Sequence, residues 1–150
     1  LTLTQKLKIS GAIIVTTPQD IALADVRKGA DMFRKVNAPV LGVIENMSGY
    51  SINGQIIDCH SASSLIIDGK KVDIKEKGYF SHYIDLFKSG AGKLESERLG
   101  VSLLGKIPIS PDIVETTDNG MPIVEKDPKS YLSKIYFEIA NNIFDKITSN

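Results

Sequence analysis

Apolar positions along this chain alternate between two rhythms. Residues 11 to 17, Gly-Ala-Ile-Ile-Val-Thr-Thr, form a β-branched run without polar alternation, the pattern of a strand buried on both faces of a parallel sheet. Thr17-Pro18-Gln19-Asp20 then reads as a capping box with proline at the first helical position, so a helix is predicted to start there. Ala22, Val26, Ala30, Phe33 and Val36 recur at helical spacing, with Asp25, Arg27, Lys28, Asp31, Arg34 and Lys35 mostly off that face, and Asn37 and Pro39 end the run. A second buried strand, Val40 to Ile44, follows and terminates in Glu45-Asn46-Met47-Ser48-Gly49. Strand, helix, strand in under forty residues predicts a right-handed βαβ unit.

The same rhythms return near the C-terminus. Ala91 to Leu99 reads as a helix stopped by Gly100, and Val101 to Ile107 as a third strand. Ser110-Pro111-Asp112 caps a short helical turn, and Asp127-Pro128 opens a last helix. Leu132, Ile135, Ile139, Ile143 and Ile147 make its apolar stripe, widened by Tyr136, Ala140 and Phe144. Between about residues 50 and 88 the pattern changes: Ser51 to Ile57 and Leu65 to Ile74 each set a glycine-containing turn beside β-prone residues, predicting an inserted β excursion of one or two hairpins. The fold class is α/β: a partial parallel sheet of about three strands, flanking helices and a β-hairpin insert, in one domain spanning 1–150.

Composition narrows the function. Forty-two per cent hydrophobic and 24% charged residues belong to a globular chain. Eighteen basic residues balance eighteen acidic ones, so no global field attracts nucleic acid or an anionic membrane. The expectation is no nucleic-acid partner and no membrane partner. One cysteine, Cys59, excludes a disulfide framework and a four-cysteine site within one chain. With polar Thr4, Gln5, Lys6 and Lys8 interrupting the first segment, a cytoplasmic protein is expected.

Candidate chemistry is local. The phosphate-binding string G-x-x-x-x-G-K-[ST] is not present in these residues; Gly100 to Ile107 has the spacing but ends in isoleucine and runs through a hydrophobic strand. Gly90-Ala91-Gly92-Lys93 is a glycine-rich helix entry, read chiefly as a plain helix start and secondarily as an anion site. Asp58, Cys59, His60 and the more distant His82 are the soft-ligand candidates, although adjacent hairpin residues point to opposite faces. No metal ligands are assigned; a two-fold dimer would still bring two Cys59 together. Asn46 ends a buried parallel strand, where ligands sit in open α/β sheets. Its amide matches the donor and acceptor edge of adenine, or else it supplies a left-handed turn residue.

Gly11 to Asp25 (Gly-Ala-Ile-Ile-Val-Thr-Thr-Pro-Gln-Asp-Ile-Ala-Leu-Ala-Asp), Pro39 to Ser48 (Pro-Val-Leu-Gly-Val-Ile-Glu-Asn-Met-Ser), Leu104 to Pro108 and Asp118 to Val124 together closely resemble the C-terminal half of Mrp-type (ApbC-like) P-loop ATPases. These are iron-sulfur cluster carriers of the MinD/ParA group. The resemblance implies the C-terminal part of a P-loop NTPase fold, with Asn46 reading the adenine edge and Pro108, Ile109, Pro111 and Asp112 packing about the ring. It also implies that the P-loop and both switch motifs precede the segment resembling Leu1 to Thr4, so residue 1 is expected to follow switch II directly, through truncation or a split gene. No catalytic residue is then present, and ATP is expected to bind weakly or only with an N-terminal half supplied in trans. In the family two chains share a 4Fe-4S cluster through C-x-x-C placed shortly after E-N-M-S; here that stretch is Gly49 to Gly54 without cysteine, so ordinary cluster ligation is not expected. A homodimer and an iron-sulfur client protein are the implied partners. The alternative reading is a non-catalytic dimerisation or client-binding module derived from that family. Positioning on membrane or DNA is disfavoured by the zero net charge and the Lys-poor final helix. In the family a further strand lies beside the one resembling Ile13 to Thr16, so an open sheet edge is expected there.

Overall fold

One long strand organises the chain in the computed structural model, which describes residues 7, 9–57, 64–87 and 90–148. Strand β2 (Val40–Gln55) runs sixteen residues and pairs in parallel with β1 (Ala12–Thr16) and β6 (Ser102–Ile109). Its distal half pairs antiparallel with β5 (Tyr79–Ile84). Tyr50 is matched at once to Ile84 and to Ile109, so β5 lies on the side of β2 opposite β6. The sheet is therefore three parallel strands, as the apolar runs predict, with one antiparallel strand added from the insert. Among the described residues β1 pairs only with β2, which leaves its other edge open.

Helices cover both faces. On one, Val26 and Ala30 of α1 (Asp20–Lys35) pack with Ile14 and Val43, joined by Leu99 and Leu103. Helix α2 (Ala91–Leu99) is beside α1 on this face. Buried Glu95 holds the two together: its Oε1 accepts from Arg98 Nε at 2.6 Å, and its Oε2 lies 3.7 Å from Arg27 Nε. The hydrogen bond to that carboxylate pushes the Arg98 guanidinium above its ordinary range, so it stays charged. On the other face Ile139 of α5 (Tyr131–Thr148) packs on Ile44, Leu104 and Ile107, with Ile13, Ile135, Tyr136 and Ile143 around them. Asn142 donates to the Leu104 carbonyl at 2.9 Å, satisfying a β6 backbone acceptor.

Several local expectations change. Helix α1 starts at Asp20, after an extended Gln19 that makes no side-chain cap; Pro18 is buried at a bend instead of opening the helix, which begins two residues later. Its end is as the asparagine signal implies: Asn37 has φ 55°, with Asn37 N–H on Arg34 O and Ala38 N–H on Phe33 O, a Schellman closure. Strand β2 does not stop at Ile44. Asn53-Gly54 makes no hairpin turn, because Gly54 faces Phe80 across the β2–β5 pair, where a Cβ would press on the ring at 2.6 Å. The second hairpin is present: β3 (Ser64–Ile67) and β4 (Lys70–Asp73) join at Asp68-Gly69, both left-handed (φ 49° and 72°) as a tight two-residue turn requires. The last helix begins at Tyr131, not at Asp127-Pro128. Ser130 caps it by accepting from Ser133 N–H at 3.1 Å, and buried Ser133 anchors it on the carbonyls of Ile123, at the start of the short helix α4 (Ile123–Lys126), and of Asp127. Ala140, Phe144 and Ile147, expected in the core stripe, are exposed.

Gly105 lies directly beneath Ile139, and a Cβ there would overlap the isoleucine side chain. Gly105→Ala is expected to lower unfolding stability by about 1–3 kcal/mol, as overpacking does. Urea denaturation should show an earlier midpoint with unchanged slope; an unchanged midpoint would mean that α5 does not rest on β6 this closely.

Candidate functional site

The carboxyl ends of the parallel strands carry the informative strings. Glu45 is 1% exposed, and burial of a carboxylate demands partners. Gly92 N–H, in the first turn of α2, donates to its Oε2 at 2.6 Å, and Lys106 Nζ on β6 stands 3.2 Å from its Oε1. Gly92 is required by this approach, since a Cβ would come within 2.7 Å of Oε2. The glycine-rich entry Gly90 to Lys93 is thus engaged by the protein's own carboxylate. Lys106 of the near-miss phosphate string likewise sits in a strand and serves that pair. Sequence reasoning missed this arrangement; the available signal was an acid ending an otherwise apolar strand.

The next residues distort β2. Asn46 is matched to Ile107 and Tyr50 to Ile109, so three residues of β2 bulge opposite Pro108, which has no N–H to offer a ladder. Met47, not Asn46, takes the left-handed conformation (φ 55°). Asn46 Oδ1 accepts from Met47 N–H at 2.9 Å, which steadies the bulge and leaves Nδ2 as a donor. Beyond it Ser48 Oγ lies 3.0 Å from the Tyr83 hydroxyl. Gly49 admits the Tyr83 ring, which a Cβ would meet at 2.5 Å.

The predicted residues line two clefts. Pro108, Ile109, Pro111 and Asp112 border one of about 390 Å³, together with Tyr50, Asn53 and Tyr131. Ser110 caps α3 (Pro111–Asp118) by accepting from Asp112 N–H at 3.2 Å, with Pro111 at the first helical position, as the sequence signal implies. Asn46 borders another cleft, of about 430 Å³, with β1 and α1. The strand register leaves Pro108 next to the partner of Asn46, one strand spacing away, yet the two sets do not line one cavity. Asp58, Cys59 and His60 lie outside the described residues. His82 is on β5 opposite Ile52, and among the described residues no group of three or more potential ligands could hold a metal ion.

The comparisons identify the family and the fold. The family model described as "ParA: NUBPL iron-transfer P-loop NTPase" matches residues 1–77 and 74–144. The chain belongs to this family. An iron-sulfur cluster carrier protein of Pseudomonas fragi is 41% identical over 140 residues, covering 93% of this chain and 40% of that protein. The chain thus spans between about a third and two fifths of the length of the curated relatives it matches. The cell division ATPase MinD of Pyrococcus furiosus shares the fold (TM-score 0.55, 24% identity, 91% of this chain and 43% of that one). So does a nucleotide-binding protein in complex with ADP from Archaeoglobus fulgidus (TM-score 0.51, 26% identity, 79% and 39%). For this NUBPL-type chain no described helix is long and apolar enough to cross a membrane.

Glu45→Ala is expected to cost about 2–4 kcal/mol, because Gly92 N–H loses its buried acceptor and the strand end loses packing. Lys106, 45% exposed, regains water when unpaired, so Glu45→Gln should cost clearly less than Glu45→Ala. Chemical denaturation of the two variants checks the order; equal costs would show that the ion pair, and not the buried hydrogen bond, carries the anchor.

Proposed function

We propose that this chain is the adenine-side portion of an ATP-binding iron-sulfur cluster carrier, acting with phosphate-binding elements that these 150 residues do not contain. The observation that carries the reading is the junction of β2 and β6. There a side-chain amide and a proline-bounded, serine-capped turn stand one strand spacing apart at the carboxyl edge of a parallel sheet, where nucleotides bind in open α/β folds. Asn46 Nδ2 donates to the base, and Pro108, Ile109, Pro111 and Asp112 pack about the ring. The ADP complex of the Archaeoglobus fulgidus neighbour and the carrier function named for the Pseudomonas fragi relative support it.

The iron-sulfur cluster is cargo, passed to a client protein, and a homodimer or an N-terminal half in trans completes the unit in the cytoplasm. The residues from Gly49 to Gly54, where the family pattern sets its cysteines, are strand residues, Tyr50 to Gly54 being matched to Ile84 to Phe80. They offer no thiolate, so this chain's part in carriage is nucleotide and client binding, with the ligands for the cargo held elsewhere.

Two outcomes are expected. The isolated chain turns over no ATP with magnesium and binds ATP with a Kd of about 1 mM or weaker, with Asn46→Ala weakening what binding there is. Magnesium-dependent turnover lost in Asn46→Ala would overturn the division of the site. Anaerobic reconstitution yields no stable 4Fe-4S cluster; absorbance near 400 nm with about four irons per dimer, abolished by Cys59→Ser, would mean that the insert supplies ligands after all.

A further inference from the structure

The returning strand of the insert reaches the candidate site through one side chain. Tyr83 of β5 is matched to Ser51 in the β2–β5 pair, yet its polar end goes elsewhere. Its hydroxyl donates to Ser48 Oγ at 3.0 Å, and Ser48 is only 4% exposed. Its ring lies on Gly49, where an added Cβ would come within 2.5 Å of the ring and 2.6 Å of the Ile84 carbonyl. Gly49 has no positive φ, so glycine stands here for the space that the ring takes.

The segment under that tyrosine lies outside the ladders of the described strands. The β1 register ends at Glu45, the β6 register passes from Asn46 to Tyr50, and the β5 register begins at Tyr50; Met47, Ser48 and Gly49 enter none of them. Met47 also has a left-handed backbone, φ 55°, which a residue with a side chain keeps only where its surroundings fix it. Asn46 Oδ1 holds Met47 N–H at 2.9 Å from one side, and Tyr83 holds Ser48 and Gly49 from the other. The bulge and the amide are thus fixed together. The amide cannot turn over without losing Met47 N–H, so Nδ2, a donor, is the end that Asn46 offers to a ligand.

We infer that Tyr83 is a positioning residue for base recognition: it clamps the Ser48–Gly49 limb of the bulge and, through Met47 N–H, sets Asn46 as a hydrogen-bond donor. The inference rests on the adenine reading above and deepens it, because a fixed donor selects among bases. Nδ2 serves N1 of adenine, an acceptor, whereas guanine carries N1–H at the same place and donor would meet donor. An amide released from Met47 turns over and accepts from guanine instead. The Tyr83 hydroxyl therefore sets a preference for ATP over GTP by acting through Asn46.

The test is NMR on the isotope-labelled chain, free and titrated with ATP and with GTP through the millimolar range. Tyr83→Phe keeps the ring and loses the hydroxyl. In that variant the Met47 amide is expected to exchange faster with solvent and ATP binding to weaken about three- to tenfold, the weight of one hydrogen bond. GTP binding should stay as it is, so the preference for ATP falls by the same factor. Ser48→Ala is expected to do the same, and the double variant no more than either single one, as for two ends of one contact. Tyr79→Phe, exposed on the same strand, should change neither quantity. In a chain that binds ATP, the inference is overturned if Tyr83→Phe leaves Met47 exchange or the nucleotide preference unchanged, if the two single effects add, or if ATP and GTP bind equally before any substitution. A lowered melting temperature with the preference intact marks a merely structural tyrosine and overturns it too. A chain that binds neither nucleotide, with Met47 nonetheless released in Tyr83→Phe, would remove the adenine reading and leave the clamp on Asn46 standing; a preference for ATP kept in Tyr83→Phe and lost in Asn46→Ala would do the reverse.

Discussion

Buried Glu45 is the constraint on which the rest of the site depends. Its carboxylate joins β2 to the first turn of α2 through Gly92 N–H and to β6 through Lys106. A charge in that position is tolerable only with such partners. Three elements distant in sequence must therefore meet at one point, and that point immediately precedes Asn46. The strand end is tied down at Glu45 and distorted just after it, so Asn46 follows directly on that anchor.

A second carboxylate repeats the device one helix turn on. Glu95 ties α2 to α1 through Arg27, with Arg98 beside it. Together the two acids lock α2 between the sheet and its neighbouring helix, and α2 is also where the chain returns from the insert. In chain order β5 precedes α2, and the first turn of α2 is held by Glu45. The Met47 bulge has a matching cause on the opposing strand, where Pro108 cannot continue the ladder.

The α5 helix shows how one amphipathic pattern can serve two surfaces. Ile135, Ile139 and Ile143 meet the sheet, while Phe137, Phe144 and Ile147 stay in solvent. A stripe wider than the core needs leaves a row of apolar side chains on the solvent side of this helix.

What the sequence by itself determined is local. Apolar runs without regular alternation specified β1, the parallel part of β2 and, less cleanly because of Ser102 and Lys106, β6, since a strand buried on both faces has no polar alternation. The Asn37, Gly100 and Ser110 signals marked helix ends because their caps are made by neighbours in the chain. Asp68-Gly69 likewise fixed its own turn. Other features needed partners far away: β2 runs on past Ile44 because β5 pairs with it, Asn53-Gly54 stays extended because Phe80 packs over it, and Pro18 is buried instead of opening α1. Of the candidate site, the residue types at the strand ends were legible. That Asn46 and the Pro108 to Asp112 turn border different clefts, and that Glu45 anchors both strands, was decided only when the tertiary fold set β6 beside β2 and brought α2 to its end. Spacing along a chain records periodicity, and the contacts that satisfy a buried charge are made across it.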